Sequence, residues 1–374
     1  MSFMILVLFG VTILYIAVLV WLRFGMRRER CRPRRLRLFS PGTEPLVSVV
    51  VAARNEEANL RQCLESILGN DYPKEKLEVV VVDDRSTDAT PSIIADLTRE
   101  HPNLRSLRIE RDDGKLRGKT NALARGIPTA RGEIIMLTDA DCIVSRTWVR
   151  ETAKYFTEDV GIVAGVTMLN DTSWFSGMQA LDWMYLLSVA ASTIGLRIPL
   201  TVIGNNLSFR KAAYEQVGGY EAVPFSVTED QALFRAIITK TSWDHRFPID
   251  GGCGVTSDAC STFGELRRQK HRWGIGGKDI QFRGPLIMSV GVLEHLLLVL
   301  SPLYAPAVWP AFAALAVKCG GDAMFASRAL REYGRVRLLR YLPLFELYFI
   351  IYTIVLPIAI IVDTKVVWKG RTYR

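Results

Sequence analysis

Apolar runs alternate with amphipathic stretches through the first half of the chain, and the alternation predicts strands and helices in turn. Val47 to Ala52 is apolar except for Ser48, the pattern of a strand covered on both faces. Glu56 to Leu68 reads as a helix, Leu77 to Val82 as a second buried strand, and Asp88 to Arg99 as a second helix. Leu104 to Ile109, a helix from Lys119 to Arg125 and a strand from Glu133 to Leu137 continue the series. This order predicts an α/β domain around a mostly parallel, doubly wound sheet. Ligands of such sheets bind beyond the carboxyl ends of the strands. After residue 145 the alternation weakens. Segments 174–194 and 229–239 read as helices, and Val202 to Phe209 and Trp243 to Ile249 as strands.

Three apolar stretches are of a different kind. Phe3 to Leu22 is 20 residues without a charge, long enough to cross a bilayer. It has no charged leader and no small-residue cleavage site, so it reads as an anchor. Leu286 to Val317 is interrupted by Glu294, His295 and three prolines and reads as two short membrane helices in a hairpin. Tyr341 to Val362 is a 22-residue run that holds Glu346 and Pro357. Ionisable groups in such runs are costly, which nominates Glu294, His295 or Glu346 for the acceptor's approach path. A Glu-His pair, or a position at headgroup level, is the plainer account.

Charge adds orientation. The chain has 374 residues, 49% of them hydrophobic, and a formal net charge of +9. Eight of its arginines fall between Arg23 and Arg37. Basic flanks stay cytoplasmic, and a juxtamembrane position favours anionic lipid headgroups over a nucleic-acid partner. An anchor, a hairpin and a final span would place the C-terminus outside. Lys365, Lys369, Arg371 and Arg374 favour inside. Either the last run is re-entrant, or Leu286 to Val317 crosses once. The expected organisation is an anchor at 1–22, a basic linker at 23–46, a catalytic domain at 47–280 and a C-terminal membrane region at 281–374 with two or three spans. Within the catalytic domain, 47–145 is the donor half, and 146–280 is the acceptor half with an interfacial helix.

Candidate chemistry then attaches to the strand ends. Asp139-Ala140-Asp141 follows an apolar strand, and carboxylates two apart suit a hard divalent cation and the phosphates it carries. A solvated turn is the alternative. Asp83-Asp84 ends another strand and can accept a uracil imide or a ribose hydroxyl, while Ser86 or Thr87 starts the next helix. Lys119 follows Gly118 but lacks the upstream glycine of a Walker loop, since residue 113 is Asp113. At a helix start it can still meet a phosphate, and a solvated lysine is the alternative. Asp230 in Thr228-Glu229-Asp230 can act as a general base or stabilise a first helical turn. Gln269, Arg272 and Trp273 share one helix face and form a platform for a diphosphate and a sugar ring. Membrane-interface packing is the alternative, supported by Phe263, Leu266 and Ile275. Cys31, Cys63, Cys142, Cys253, Cys260 and Cys319 show no metal-ligand spacing, and the four histidines form no HExxH. Zinc hydrolase chemistry therefore has no support in the sequence.

The order of these motifs resembles that of the membrane-bound family-two glycosyltransferases. The members show a P-x-x-N-E-like opening, a paired Asp, D-x-D, [TE]-[DE]-D and Q-x-x-R-W. Here those are Ala52-Ala53-Arg54-Asn55-Glu56, Asp83-Asp84, Asp139-Ala140-Asp141, Thr228-Glu229-Asp230 and Gln269-x-x-Arg272-Trp273. The resemblance covers about residues 45–280 and implies the Rossmann-like, nucleotide-sugar-binding GT-A fold, flanked by transmembrane helices. It places Ala52, Arg54, Glu56 and Asp84 along the nucleotide base and ribose. Alanine at 52 departs from the proline or threonine of many members. Asp139 and Asp141 would hold Mg²⁺ or Mn²⁺ against the donor diphosphate, Asp141 more directly, with Asp139 also within reach of the ribose. Gln269, Arg272 and Trp273 would cradle the donor diphosphate and frame the acceptor, and Asp230 would deprotonate the acceptor hydroxyl; Lys119 joins the donor contacts by its helix-start position alone.

The implied reaction is a single inverting displacement. It moves a sugar from a nucleotide sugar, such as UDP-glucose, to a lipid hydroxyl at the cytoplasmic face of a cell (inner) membrane. The size and motif set look similar to ceramide glucosyltransferases and bacterial glycolipid synthases. A processive polysaccharide synthase of the same family is the alternative, and a catalytically silent scaffold would lack carboxylates that are all present here.

Overall fold

Val47–Ala53 consists of valines, alanines and one serine, residues that suit an extended backbone covered on both faces. It is β1, the centre of a seven-stranded sheet. The structure, a computed structural model, describes residues 3–31, 39–40, 42–112, 116–224, 226–277, 283–363, 365–368 and 371–373. Arg32, Arg34, Arg35 and Arg37 of the basic cluster, Pro41 of the linker, Asp113, and Lys369 and Arg374 of the tail lie outside the described residues.

The chain divides into two units. Cys31–Met168 with Val202–Asp258 forms an α/β unit, and Met1–Arg30, Leu169–Thr201 and Ala259–Arg374 form a helical unit. Segment 174–194, read from sequence as part of an acceptor half, thus groups with the apolar helices.

In chain order the next strands are β2 (Leu77–Asp83), β3 (Leu104–Arg108), β4 (Ile134–Asp139), β5 (Ile143–Val144), β6 (Val160–Ala164), β7 (Thr167–Leu169), β8 (Leu207–Arg210), β9 (Asp244–Arg246) and β10 (Val255–Ser257). The large sheet runs β3-β2-β1-β4-β8-β6-β9, and β5, β10 and β7 make a small second sheet. β1 pairs in parallel with β2 and with β4, so the strand order reverses at β1. Its carboxyl end is therefore the topological switch point at which such sheets take ligands. β8 runs antiparallel to both β4 and β6. The extended run expected from Val202 to Phe209 is cut short because Gly204–Asn206 forms a 3₁₀ turn.

The helices of this unit are α2 (Leu60–Leu68), α3 (Thr90–Glu100), α4 (Gly118–Thr129), α5 (Trp148–Ala153), α7 (Lys211–Gln216), α8 (Gly219–Ala222) and α9 (Glu229–Lys240). α2 starts later than its pattern predicts, at Leu60 instead of Glu56. Its leading side chains are committed elsewhere: Asn55 Oδ1 accepts from Thr87 N at 2.9 Å and Glu57 Oε2 from Ala89 N at 2.9 Å. In the other direction, Asp88 Oδ2 accepts from Glu57 N at 3.1 Å. These bonds lace the loop after β1 to the loop after β2. α4 packs closely on the sheet because residue 126 is glycine; a Cβ there would lie 2.6 Å from Val82 Cγ2.

The helical unit contains α1 (Phe3–Cys31), α6 (Trp174–Gly195), α10 (Phe263–Gly276), α11 (Arg283–Leu300), α12 (Val308–Glu332), α13 (Leu342–Val362) and a hairpin of β11 (Val366–Trp368) and β12 (Arg371–Tyr373). Among the described residues three segments are long and apolar enough to cross a membrane: Phe3–Arg30, Gly284–Leu303 and Val336–Val362. Where the sequence suggests a hairpin of two short helices, only the first is such a segment. The second is the start of α12, which continues through the basic stretch to Glu332. α1 and α6 approach closely at small residues, where a Cβ on Gly195 would lie 2.0 Å from Gly25 O.

The ionisable groups of the apolar runs turn into the packing. Glu294 accepts from Thr12 Oγ1 at 2.9 Å. Glu346 accepts from Lys318, whose ammonium also reaches Asp322 Oδ2 at 2.7 Å. Tyr15 and Tyr185 each donate to Asp322 Oδ1 at 2.7 Å. Buried and paired in this way, Glu294 and Glu346 act as internal ties of the helical unit.

Candidate functional site

β1, β2 and β4 end in register, which gathers their last residues. Ala52 pairs with Asp139 and Ala53 with Asp83. The next amide, Asp84 N, donates to Ala53 O at 2.8 Å. Asp84 is buried and receives two arginines, Arg85 Nη2 at 2.8 Å from Oδ1 and Arg54 Nη1 at 3.6 Å from Oδ2. Arg85 adopts a left-handed backbone, φ 60°, and also reaches Asp112 Oδ1 at 2.7 Å. The expected base-and-ribose residues Arg54 and Asp84 are thus in contact. Glu56 is half-buried at the turn after β1.

Lys119 joins two motifs that lie 90 residues apart in sequence. Its ammonium is 2.6 Å from Asp139 Oδ1 and 2.9 Å from Glu229 Oε1. Gly118, with φ 58°, starts α4 in a conformation that favours glycine and aims the following lysine along the sheet end. Burial disfavours the charged ammonium, but Asp139 and Glu229 outweigh it and hold the Lys119 pKa well above its usual value. Asp230 is the next residue of α9. Its approach to the Gly204–Asn206 turn depends on the missing side chain, since a Cβ on Gly204 would lie 2.7 Å from Asp230 Cβ. Gln231 Oε1 accepts from Val202 N at 3.0 Å and ties the same two segments.

The donor set at the end of β4 is oxygen. Asp139 ends the strand half-exposed, and Asp141 is exposed two residues on. Two carboxylates, one already facing an ammonium, fit a hard divalent cation that keeps waters and takes its other ligands from phosphates. Cys63 and Cys142 lie beneath them, with Cys63 Sγ 3.4 Å from Asp139 O and Cys142 Sγ 3.5 Å from Asp141 Oδ1. Burial, reinforced by the two aspartates, pushes both thiols up, so they stay protonated and offer no thiolate to a softer metal. Among the described residues no group of three His, Cys, Asp or Glu forms a complete cage.

Gln269, Arg272 and Trp273 belong to α10 of the helical unit. Thr262 caps that helix by accepting from Glu265 N at 3.2 Å. Trp273 packs on Trp183 with ring centroids 4.9 Å apart. Lys270 forms a buried ion pair with Asp182 and lies 4.9 Å over the Trp273 ring. Gly274 faces α13, where a Cβ would lie 2.2 Å from Ile360 Cδ1. The contacts of this helix are thus with other helices of its own unit.

Five residues escaped the sequence reading: Glu229, Arg85 and Gly204 in the α/β unit, and the Lys270–Asp182 pair in the helical unit. Glu229 and Arg85 stand beside chosen residues inside the motifs, so their neighbours were the signal. Gly204 and Asp182 carry no local signal, because each matters only through a residue distant in sequence.

A mixed sheet with carboxylates at its switch point places the α/β unit in the GT-A-like class. Residues 48–218 match the family described as Glycosyl transferase family 2, and residues 134–362 match Glycosyl transferase family group 2. The chain belongs to the family 2 glycosyltransferases. The Beta-monoglucosyldiacylglycerol synthase of Nostoc sp. is 33% identical over 258 residues, covering 66% of this chain and 52% of that protein. The Poly-beta-1,6-N-acetyl-D-glucosamine synthase of Staphylococcus epidermidis is 26% identical over 250 residues, covering 63% of this chain and 56% of that one. The chain spans about half the length of the curated relatives it matches. A mannosyltransferase from Pyrobaculum calidifontis, solved with GDP-Man and Mn²⁺, aligns over 92% of this chain and 99% of its own at TM-score 0.55 and 21% identity, a likeness of fold.

Proposed function

We propose that the protein is an inverting glycosyltransferase that moves a sugar from a nucleotide sugar, UDP-linked by preference, to the hydroxyl of a membrane lipid. The observation that carries this reading is the Lys119 bridge, which joins Asp139 of the D-x-D segment to Glu229 beside Asp230. Donor-side and acceptor-side carboxylates thereby meet at one end of one sheet.

In this reading Arg54, Glu56 and Asp84 bind the base and ribose, and Ala52 forms the floor beneath them. Asp139 and Asp141 would hold Mg²⁺ or Mn²⁺, which when bound neutralises charge on the departing diphosphate. Lys119 adds a fixed positive charge there and orients Asp139. Asp230 takes the proton of the acceptor hydroxyl as its oxygen attacks the anomeric carbon from the face opposite the leaving group. Gln269 and Arg272 contact the diphosphate, and Trp273 frames the acceptor. The three apolar segments and the likeness to a glycolipid synthase support a lipid acceptor, and the arginines that follow the first segment support a catalytic unit on the cytoplasmic side of a cell membrane.

The likeness to a poly-N-acetylglucosamine synthase favours one other reading, processive polymer synthesis. Purified protein in lipid would be incubated with a panel of nucleotide sugars and diacylglycerol, and the products sized by mass spectrometry. A lipid carrying one sugar supports the proposal. A long polymer, or no transfer from any nucleotide sugar, overturns it.

A further inference from the structure

One carboxylate of the helical unit gathers three guanidiniums. Asp171, with 4% of its side chain exposed, lies 3.0 Å from Arg335 Nη1, 3.0 Å from Arg337 Nη2 and 3.6 Å from Arg340 Nη2. The charges do not balance, since one negative group faces three positive ones. A simple clamp between the two segments needs only Arg335, whose side chain is 21% exposed. Arg337 and Arg340 keep 62% and 56% of their side-chain surface open. Like charges held this close repel one another, and an added anion relieves the repulsion.

The surroundings hold the open arginines in place. The Arg340 guanidinium lies 4.7 Å over the Tyr341 ring, and its Nη2 donates to Tyr341 Oη at 2.5 Å. The Tyr341 ring fits against α6 because residue 177 is glycine; a Cβ there would lie 2.2 Å from the ring. Trp174 meets Tyr341 edge-on at 5.2 Å and remains 65% exposed. The cluster also stands at the start of an apolar helix, because the membrane-length segment runs Val336–Val362. Arginine and an exposed tryptophan at the end of such a segment lie at headgroup depth. Arg328 and Arg331 lie a few residues earlier in the chain, at the end of α12. Guanidinium forks match the planar, bidentate geometry of phosphate oxygens.

We propose that Arg337 and Arg340, held by Asp171, Arg335 and Tyr341 and flanked by Trp174, dock the phosphodiester headgroup of an anionic membrane phospholipid. The lipid is a bound partner and not the acceptor, and the site shares no residue with the proposed reaction. It stands or falls independently of that reaction.

The test is equilibrium binding of short-chain phosphatidylglycerol to the full chain in neutral detergent, with short-chain phosphatidylcholine and inorganic phosphate as comparison arms. Saturable binding of phosphatidylglycerol, absent with phosphatidylcholine and weakened by salt, is expected. The Arg337→Gln/Arg340→Gln variant keeps the Arg335–Asp171 tie and should keep its melting temperature. It should bind phosphatidylglycerol about thirtyfold more weakly, from two cationic side chains near a charged surface. Arg337→Lys/Arg340→Lys should recover part of the loss. Equal affinity in wild type and the Gln variant overturns the proposal. So does equally tight binding of phosphatidylcholine, and full competition by inorganic phosphate at the lipid's own affinity would assign the site to a free anion. If the Gln variant melts early, the Lys variant decides: wild-type melting with weakened but still anion-selective binding supports the site, and wild-type melting with unchanged affinity overturns it.

Discussion

The ammonium of Lys119 lies 2.6 Å from Asp139 Oδ1, so the first carboxylate of the D-x-D segment is paired with a cation supplied by its own chain. The same ammonium reaches Glu229, and removing it leaves two carboxylates facing each other. Lys119→Met should lower kcat/KM about a hundredfold, the scale of losing one positioned electrostatic stabiliser. Lys119→Arg should restore part of it. The Lys119 pKa is raised, so its stabilisation is fully present below the usual lysine value and is lost only as pH rises through the higher folded value. Rates from pH 7 to 9 should therefore show no alkaline fall that Lys119→Arg shifts. Such a fall would count against the bridge.

Gly204 is the space into which Asp230 fits. Gly204→Ala places a methyl 2.7 Å from Asp230 Cβ and must displace a residue tied into the first turn of α9. A shift of about 1 Å in a reacting group costs up to about a hundredfold. Steady-state kinetics should show kcat falling by that order while donor KM changes little. An unchanged kcat would separate the Gly204–Asp230 contact from the chemistry.

Asp230→Asn removes the proposed base without changing shape. Transfer should fall by about 10²–10⁴-fold, with donor binding retained in a titration with nucleoside diphosphate. Unchanged transfer would remove Asp230 from the mechanism.

Asp141→Asn should raise the Mn²⁺ or Mg²⁺ concentration needed for half-maximal rate, and chelation of wild type should abolish a rate that either ion restores. The measurement is a metal titration at fixed donor. Identical metal curves for wild type and Asp141→Asn would exclude Asp141 as a ligand.

Glu78 carries an acid-sensitive tie of the sheet. It lies buried on β2 and accepts from Arg131 N at 2.7 Å, with Arg105 Nη2 2.7 Å away. Burial opposes its charge, but the Arg131 amide and neighbouring donors prevail and lower its pKa below 4.5. A lowered carboxylate pKa stabilises above the unfolded value and ceases to stabilise as pH falls through the folded one. Both arginines are well exposed, so Glu78→Gln should cost only about 1–2 kcal/mol at neutral pH. It should also flatten the loss of melting temperature below about pH 4.5. An unchanged acid profile would assign that sensitivity elsewhere.

Much of the sheet is legible from residue order alone. Val47–Ala53 and Leu77–Asp83 are largely buried strands, and a mostly valine run of that length bounded by polar loops has few other places to go. Element starts are less legible. α2 begins at Leu60 because Asn55 and Glu57 spend their side chains on the facing loop, a competition between local and distant hydrogen bonds. The antiparallel placement of β8 is also not in the sequence, since nothing local in Leu207–Arg210 states its direction.

The sequence by itself determined the apolar segments, the alternating core and the carboxylates at strand ends, because burial and periodicity are properties of neighbouring residues. Only the tertiary structure decided that Lys119 is paired with both Asp139 and Glu229, that Gly204 admits Asp230, and that Asp171 collects three arginines. Each of those joins residues far apart in the chain, and their meeting depends on strand order, helix approach and the absence of one Cβ.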